Sequence, residues 1–409
     1  MRRLHLALVV VASVVGCSAG GAGDDPGVRK GDSGPDDGGF HLDDGGFVGL
    51  PDGASPDPTK DNDGDGYLFV DDCDDTNPLI NPGAYDVAGD HVDNDCDGVK
   101  DSVDACQGGL VLTSTTALDF AKALDLCRTT VSGATGKEKR WGVISASLET
   151  TDGVGKPLPY QYGLQQTWGV LKPREGGVMA ALSTGSARTP GQPQYIKPLA
   201  LSAGATGTGN ENVAPPGWPQ NTTGCPNPTA GKRGKALDPV VLRLKLRVPT
   251  NAKSFTYDFD FYTSEYIDYV CTEFNDTFIA LLKTKAPLDP KNNGNISFDK
   301  TGSPVNVNSG FFEVCEPGKA AHPPATGKTF TCALGRAELS GTGYEGDGPQ
   351  DGATSWLRTK ATVVPGEEME IAFMIWNTSD HQLQSAVLLD NWQWGADPTT
   401  GGPETDRPK

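Results

Sequence analysis

The chain has 409 residues, of which 53 are acidic and 34 are basic, giving a formal net charge of −19, and it contains nine cysteines. This length allows one large domain or two to three ordinary ones. Residues 18–104 contain 23 Asp, no Glu and four basic residues, so this block alone carries a net charge of −19 and the remainder is close to neutral. Such a block argues against nucleic acid as a partner, because like charges repel, and it favours bound cations or simple solvation.

Residues 1–17 have the composition of an export signal, with Arg2 and Arg3 followed by an apolar run that is too short to span a bilayer as a mature helix. The run ends in VVGC, which resembles the lipobox of bacterial lipoproteins. The resemblance implies that Cys17 is lipidated and becomes the new N-terminus. The mature protein would then be held at a membrane of the bacterial cell envelope, such as the outer membrane or the cell surface. Ordinary cleavage within residues 18–20 is the alternative.

The next segment, residues 18–60, is rich in Gly, Asp and Pro and is typical of a disordered linker. It leads into an Asp-rich module at residues 61–106. A calcium loop of the EF-hand type takes oxygen ligands from positions 1, 3, 5, 7, 9 and 12, with Gly at position 6. Residues 93–104, the second Asp loop, place Asp at each of these positions except the seventh, which offers its backbone carbonyl. Its predicted ligands are Asp93, Asp95, Asp97, the Val99 carbonyl, Asp101 and Asp104.

A first Asp loop, residues 61–72, fits the same count but has the apolar Phe69 at position 9, where a water molecule would serve. Its predicted ligands are Asp61, Asp63, Asp65, the Tyr67 carbonyl and Asp72. Carboxylate-rich sites of six or more oxygens around a flexible glycine favour calcium over magnesium. A solvated acidic linker is the alternative interpretation of both loops.

Two stretches of the module resemble known repeats. The stretch DCDDTNPLINPGAYDVAGDHVDNDCDG resembles the metal-binding repeat of MopE-type bacterial surface proteins, and DNDCDGVKDSVDAC resembles a thrombospondin type-3 calcium repeat. One branch of the first family is associated with copper. This chain offers no Met in the stretch and only His91 as a borderline ligand, so calcium is the expected cofactor and copper the less favoured one. In both families cysteines brace the loops, which implies a Cys73–Cys96 bridge.

With Cys17 lipidated, eight cysteines remain, an even number that predicts disulfides in an exported chain. Eight cysteines allow 105 connectivities, and the sequence selects none of them. Loops of similar size favour the pairs Cys73–Cys96, Cys106–Cys127, Cys225–Cys271 and Cys315–Cys332. A structural zinc site is disfavoured, because the chain has no C-x-x-C pair and no His cluster.

Residues 107–395 are predicted to form a β-sandwich or jelly-roll body, so the fold class is mainly β with one N-terminal helix. The runs VVLRLKLRV and SFTYDFDFY alternate apolar with polar residues, as half-buried strands do. NDTFIALL, EMEIAFMIWN and SAVLLDNWQW predict further strands, and TSTTALDFAKALDLCRTT predicts the helix. Residues 396–409 are expected to be a flexible tail.

The body is similar to the choice-of-anchor L domains of bacterial surface proteins over the stretches ALDFAKALDLC, LSTGSARTP, FDFYTSEYIDYVCTEFNDTFIALL and TSWLRTKATVVPGEEMEIAFMIWNTSDHQLQSAVLLDNWQW. That family is defined by surface attachment with a varied anchor, and a lipidated Cys17 would be the anchor here. We therefore predict a calcium-binding, non-catalytic surface lipoprotein for adhesion, for structure, or for binding a glycan or protein ligand.

Two alternatives remain. The first is a glycan-binding or glycan-cleaving β-sandwich, which would use carboxylates near strand ends and an aromatic platform. The candidate carboxylates are Glu265, Asp268, Glu273, Asp276, Asp380 and Asp390, and the candidate aromatic residues are Trp376, Trp392 and Trp394. These aromatic residues are more typical of a strand core. The second alternative is a copper-handling surface protein, which needs converging soft ligands.

Overall fold

The computed structural model describes residues 57–102, 105–198, 211–225, 234–319, 329–346 and 350–408. One α-helix in these residues, α1 (Ala117–Ala123), lies inside the segment predicted to be helical. The strands in chain order are β1 (Gly142–Glu149), β2 (Tyr162–Gln165), β3 (Met179–Ser183), β4 (Glu211–Val213), β5 (Lys235–Arg247), β6 (Ser254–Thr263), β7 (Thr277–Lys283), β8 (Val305–Asn306), β9 (Gly318–Lys319), β10 (Thr329–Phe330), β11 (Gly352–Ala353), β12 (Leu357–Thr362), β13 (Glu368–Asn377), β14 (Ser385–Gly395) and β15 (Glu404–Asp406).

Two open antiparallel sheets form the body, which confirms the mainly β fold. One sheet runs β1-β5-β13-β7-β8 with β4 also paired to β5, and the other runs β15-β12-β6-β14-β3-β2 with β11 also paired to β6. β9 and β10 form a separate two-stranded ribbon. The five runs predicted as strands correspond to β5, β6, β7, β13 and β14.

The main core lies between the two sheets. Tyr257 of β6 meets Phe373 of β13 edge to face, with ring centroids 4.9 Å apart. Leu244 of β5 and Phe259 of β6 are fully buried in the same cluster. Trp392 of β14 stacks on Phe255 with centroids 4.3 Å apart. Aromatic side chains fill the space between sheets because each buries a large apolar area and gains from ring contacts.

The outer faces of both sheets are more buried than alternation predicts. Asp258 and Asp260 alternate with the core aromatic residues of β6, yet both are fully buried. A second apolar cluster containing Trp168 covers part of the sheet that contains β6, and a third containing Trp218 packs against Trp376 of the other sheet. The expectation of half-buried strands was therefore wrong for β6, because loop segments cover its outer face.

The segment predicted as a flexible tail is partly a strand. β15 pairs with β12 in antiparallel register, and the Thr405 hydroxyl lies 2.9 Å from that of Thr359. Arg407 donates hydrogen bonds of 2.7 and 3.0 Å to the carbonyls of Thr354 and Phe311. The sequence ETDR gave no periodic pattern, because a three-residue edge strand is too short to show one.

Four disulfides brace the structure: Cys73–Cys96, Cys106–Cys127, Cys225–Cys271 and Cys315–Cys332. These are the pairs favoured by loop size. The predicted export signal, Cys17 and nearly all of the predicted linker lie outside the described residues. The helices within the described residues are all too short or too polar to reach across a lipid bilayer.

Candidate metal-binding module

The first Asp loop is folded by its own carboxylates. Asp61 accepts the backbone N–H of Gly64 on Oδ1 at 2.6 Å and that of Gly66 on Oδ2 at 3.0 Å. Asp63 and Asp65 each use Oδ1 to accept the N–H two residues further on. Gly66 has φ +96, a backbone conformation that favours glycine. Asp63 and Asp65 therefore each spend one oxygen on the turn and keep the other for a different partner.

The remaining oxygens of Asp63 and Asp65, together with one oxygen of Asp72, are buried without a hydrogen bond. Oδ2 of Asp63, of Asp65 and of Asp72 each lack a partner among the described residues. The three side chains also have ligand atoms within 4.8 Å of one another. Burial is the largest cause that raises the pKa of all three carboxyls, and for Asp72 the value reaches about 7. Converging, desolvated carboxylates repel unless a cation or protons neutralise them.

Asp75 joins this site although the sequence count did not include it. Its carboxylate forms a second group with Asp61 and Asp63, again within 4.8 Å. Asp75 is 5% exposed, and its Oδ1 accepts the N–H of Asn62 at 2.9 Å. It lies three residues beyond the last position of the EF-hand pattern, so counting along that pattern could not find it. The chain after Asp72 turns back toward the loop.

The donor set of the first Asp loop fits a hard divalent cation. Every grouped ligand atom is a carboxylate oxygen, which suits calcium or magnesium better than copper. Cys73 and Cys96 lie beside Asp72, but they are joined in a disulfide and offer no thiolate. The carbonyls of Tyr67 and Val99 stay predicted ligands.

The second Asp loop repeats the hydrogen bonds of the first. Asp93 accepts the N–H of Asp97 on Oδ1 at 3.1 Å and that of Gly98 on Oδ2 at 2.9 Å, as Asp61 does with Gly66. Gly98 has φ +90. Equal spacing in the sequence has therefore produced the same turn twice.

The ligand set of the second loop differs from the predicted one. Asp95 and Asp97 group with Asp86, which the sequence count did not include. Asp101 faces another turn instead, where it accepts the N–H of Gly89 at 2.8 Å and contacts Nδ1 of His91 at 2.8 Å. Asp104 lies outside the described residues.

Arg128 reaches the second Asp loop from the body. Its Nη1 forms an ion pair with Oδ2 of Asp95, and its Nη2 lies 3.6 Å from Oδ2 of Asp97. The Asp95 side chain is fully buried, and the Arg128 side chain is 16% exposed. The carboxylate cluster of the second loop thus has a cationic side chain against it, whereas the ion pairs among the described residues include none to Asp63, Asp65 or Asp72.

The module is attached to the body by specific contacts, and both belong to one compact unit. Tyr67, in the middle of the first loop, is fully buried and donates its hydroxyl to the Lys139 carbonyl. The Tyr85 N–H donates to Oδ1 of Asn251 at 3.0 Å, and Asn251 donates back to the Tyr85 carbonyl at 2.8 Å. The Thr250 N–H donates to the Gly83 carbonyl at 3.0 Å. The conformation of the first loop is therefore coupled to the contacts between the module and the body.

The body also buries carboxylates at strand ends. Glu265, just after β6, accepts the N–H of Asp276 at 2.8 Å, and both residues are 1% exposed. Burial raises the pKa of Glu265 to about 8 and that of Asp276 well above its usual value. The carboxylate of Asp390 accepts the Arg174 N–H at 2.5 Å, and its pKa is raised to about 7, mainly by burial. The carboxyl groups of Glu265 and Asp390 therefore accept backbone hydrogen bonds inside the protein.

The proposed aromatic platform does not form a surface. Trp376 is fully buried and Trp392 is 5% exposed, each within a cluster of core residues. Trp394 is partly buried and meets Trp141 edge to face with centroids 6.2 Å apart. Sugar stacking on Trp376 and Trp392 is therefore disfavoured, because neither ring face is open.

Comparison with known families gives two matches, one in the body and one in the module. A family model described as Choice-of-anchor L domain matches residues 177–393. A second model, described as Putative metal-binding motif and of the MopE type, matches residues 72–102. This second match includes Asp72 and the second Asp loop up to residue 102, and it begins after Asp61, Asp63 and Asp65. No curated protein matches the chain.

Proposed function

Because the chain belongs to the family of choice-of-anchor L domain proteins, we propose that it is a calcium-binding lipoprotein displayed on the bacterial cell surface. Family membership fits a surface or structural protein, and the metal-binding motif fits a bound metal ion. In this proposal Cys17 carries the lipid, residues 18–60 form the spacer, and the Asp-rich module joins the spacer to the β-sandwich.

The observation that carries the calcium proposal is the convergence of the buried oxygens of Asp63, Asp65 and Asp72. Without an ion, these carboxylates repel one another or take up protons, as the raised pKa of each indicates. A calcium ion at this point would neutralise them and supply the partner that each oxygen lacks. Binding would therefore stabilise the folded loop.

Calcium is proposed over copper because of the donor atoms. Copper needs imidazole, thioether or thiolate ligands, and the grouped atoms of the first loop are carboxylate oxygens. His91, the borderline ligand of the module, contacts Asp101 away from both groups.

The β-sandwich is proposed to act by binding or by structure and not by catalysis. A choice-of-anchor domain is typical of a non-catalytic surface protein, and the buried carboxylates of the body are engaged in its interior. The ligand in this proposal is a surface glycan or a protein.

Calcium binding is tested by calorimetric titration of the purified full-length protein. We expect wild type to bind calcium, and Asp72→Asn to lower the affinity on the order of 100-fold, because the site loses a charged ligand. Asp71→Asn is the matched control, since it removes the same charge from the neighbouring residue, which is outside the grouped ligands. Wild type that takes up copper but no calcium would sink the calcium assignment.

The anchor is tested by cell fractionation. Cys17→Ala removes the proposed acylation site, so the variant should leave the membrane fraction, while Ser18→Ala should stay in it. Equal retention of both variants would exclude lipid anchoring through Cys17.

A further inference from the structure

We propose that Arg128 is the built-in cation of the second Asp loop and takes the place that a metal ion would have there. This inference rests on the calcium-binding function proposed for the module, and it adds that the module binds one ion and not two. The sequence count predicts a calcium ion in each loop, with the apolar Phe69 at position 9 of the first, and the contacts of Arg128 add a further difference between the loops.

The first step is the position of the guanidinium. It pairs with the fully buried carboxylate of Asp95 and lies 3.6 Å from that of Asp97. These two carboxylates and that of Asp86 are the three ligand groups that a metal ion at this loop would use. Since one oxygen of Asp95 already faces a cation, an ion entering here would meet the charge of Arg128 at close range.

The second step is that Arg128 is held in place. Its Cζ lies 5.2 Å from the ring centroid of Trp141, a cation–π arrangement. Its backbone carbonyl accepts the Val143 N–H at 2.8 Å, and its neighbour Cys127 is bridged to Cys106. Displacing the side chain would leave a largely buried guanidinium without its carboxylate partner, which is unfavourable.

The third step is the contrast with the first loop. Asp63, Asp65 and Asp72 also form a group of three carboxylates, but the ion pairs among the described residues include none to these three side chains, whereas Asp95 and Asp97 both face Arg128. Two turns with the same spacing therefore hold their carboxylates in different ways. The first needs a cation from solution, and the second has one supplied by the body.

Arg128 thereby also joins the module to the body without an ion. The backbone of Arg128 contacts Val143 of β1, and its side chain contacts Asp95 in the second loop. We expect this junction to persist in chelator, when the first loop has lost its ion.

The test is the calcium stoichiometry of the full-length protein, measured by calorimetry and by native mass spectrometry. Wild type should bind one calcium per chain and Arg128→Gln two, because glutamine keeps polarity and removes the charge. Lys100→Gln removes a positive charge from an exposed position of the same loop and should still bind one. Two ions in wild type, or Lys100→Gln gaining an ion as Arg128→Gln does, would overturn the proposal.

A second variant tests the same proposal and keeps both Arg128 and Asp95. Asp97→Asn, at an exposed position, should leave the calcium affinity and stoichiometry of wild type unchanged within about twofold, because the second loop holds no ion. Loss of a bound calcium in this variant would refute the role of Arg128.

The outcomes also separate this proposal from the calcium site of the first loop. No binding in wild type together with one ion in Arg128→Gln would support Arg128 as the internal cation and reject the first-loop site. No binding in wild type or in a folded Arg128→Gln would reject both.

Discussion

The Asp-rich module and the β-sandwich both bury carboxylates, but they neutralise them in different ways. In the module, carboxylates from neighbouring turns converge on one point, as those of Asp63, Asp65 and Asp72 do. In the body, a buried carboxylate can instead meet a basic side chain from a neighbouring strand. Asp258 of β6 accepts hydrogen bonds of 2.6 and 2.8 Å from Arg358 of β12.

Other buried carboxyl groups of the body are neutralised by taking up protons. Asp260 lies on the same face of β6 as Asp258, and burial, followed by the nearby Glu338 carboxylate, raises its pKa well above the usual range. Glu265 and Asp276 form a similar buried pair. The comparison teaches that the converging carboxylates of the first Asp loop leave room for an ion from solution. The second Asp loop and Asp258 are instead matched by an arginine, and Asp260, Glu265 and Asp276 by protons.

The largest effect is expected from removing the arginine that neutralises Asp258 in the body. Arg358→Ala should lower the free energy of unfolding by about 3 kcal/mol, at the low end for a broken buried pair, because Asp258 stays buried and loses its bidentate partner but keeps hydrogen bonds from Arg174 and Asn391. Chemical denaturation of the full-length protein measures this. Lys235→Ala breaks an exposed ion pair with Glu211 and should cost less than about 1 kcal/mol. Equal losses in the two variants would remove the distinction between buried and surface pairs.

Removing the metal tests the module by itself. At calcium concentrations about 100-fold above the dissociation constant, binding stabilises the bound state by about 2.7 kcal/mol. Chelation should therefore speed hydrogen exchange at the amides of Gly66 and Tyr67, which donate to loop carboxylates, and leave β13 unchanged. The same exchange pattern in calcium and in chelator would mean that the loop needs no ion.

The smallest effect concerns the proton held by Glu265. Its pKa is raised to about 8, so the folded state holds a proton that the unfolded chain releases near the ordinary value of 4.5. Its contribution to stability is therefore fully present below pH 4.5 and is lost as the pH rises toward about 8. Glu265→Gln cannot ionise, so its stability relative to wild type should improve by about 1 kcal/mol between about pH 5 and pH 6.

Denaturation curves at the two pH values check this, with the exposed Glu404→Gln as the matched control. A difference between Glu265→Gln and wild type that is the same at both pH values would show that Glu265 ionises alike in the folded and unfolded states.

Local spacing was enough to predict the turns of the module and the main strands. The N–H groups of Gly66 and Gly98 donate to Asp61 and Asp93, five residues earlier in each case. Counting positions along the EF-hand pattern therefore predicts these turns. β13 has the bounds that its apolar run indicates, because ten residues of β-forming sequence show a clear pattern. Loop size favoured all four disulfide pairs, and the family resemblance also implied Cys73–Cys96.

Contacts between distant parts of the chain could not be predicted in this way. Asp86 joins Asp95 and Asp97 through a turn in the chain, and Arg128 arrives from beyond a disulfide. Nothing in the sequence around Arg128 marks it as a partner of the second Asp loop. The β15 strand was likewise missed, because its order comes from pairing with β12 and not from its own three residues. These features depend on tertiary packing, which overrides local pattern.

If the chain is tethered through Cys17 as proposed, the Cys73–Cys96 bridge has a mechanical consequence. Cys73 follows Asp72 of the first loop, and Cys96 lies between Asp95 and Asp97 of the second, so the bond links the two cation sites directly. Tension entering from the N-terminal side would cross this bond and bypass the residues between the two cysteines, a sequence separation of 23. Cys106–Cys127 then bypasses a further separation of 21 before the load reaches Arg128 and the sheets. Pulling would thus extend only the short stretches of the module outside the two disulfide loops, and the segments inside these loops would carry no tension.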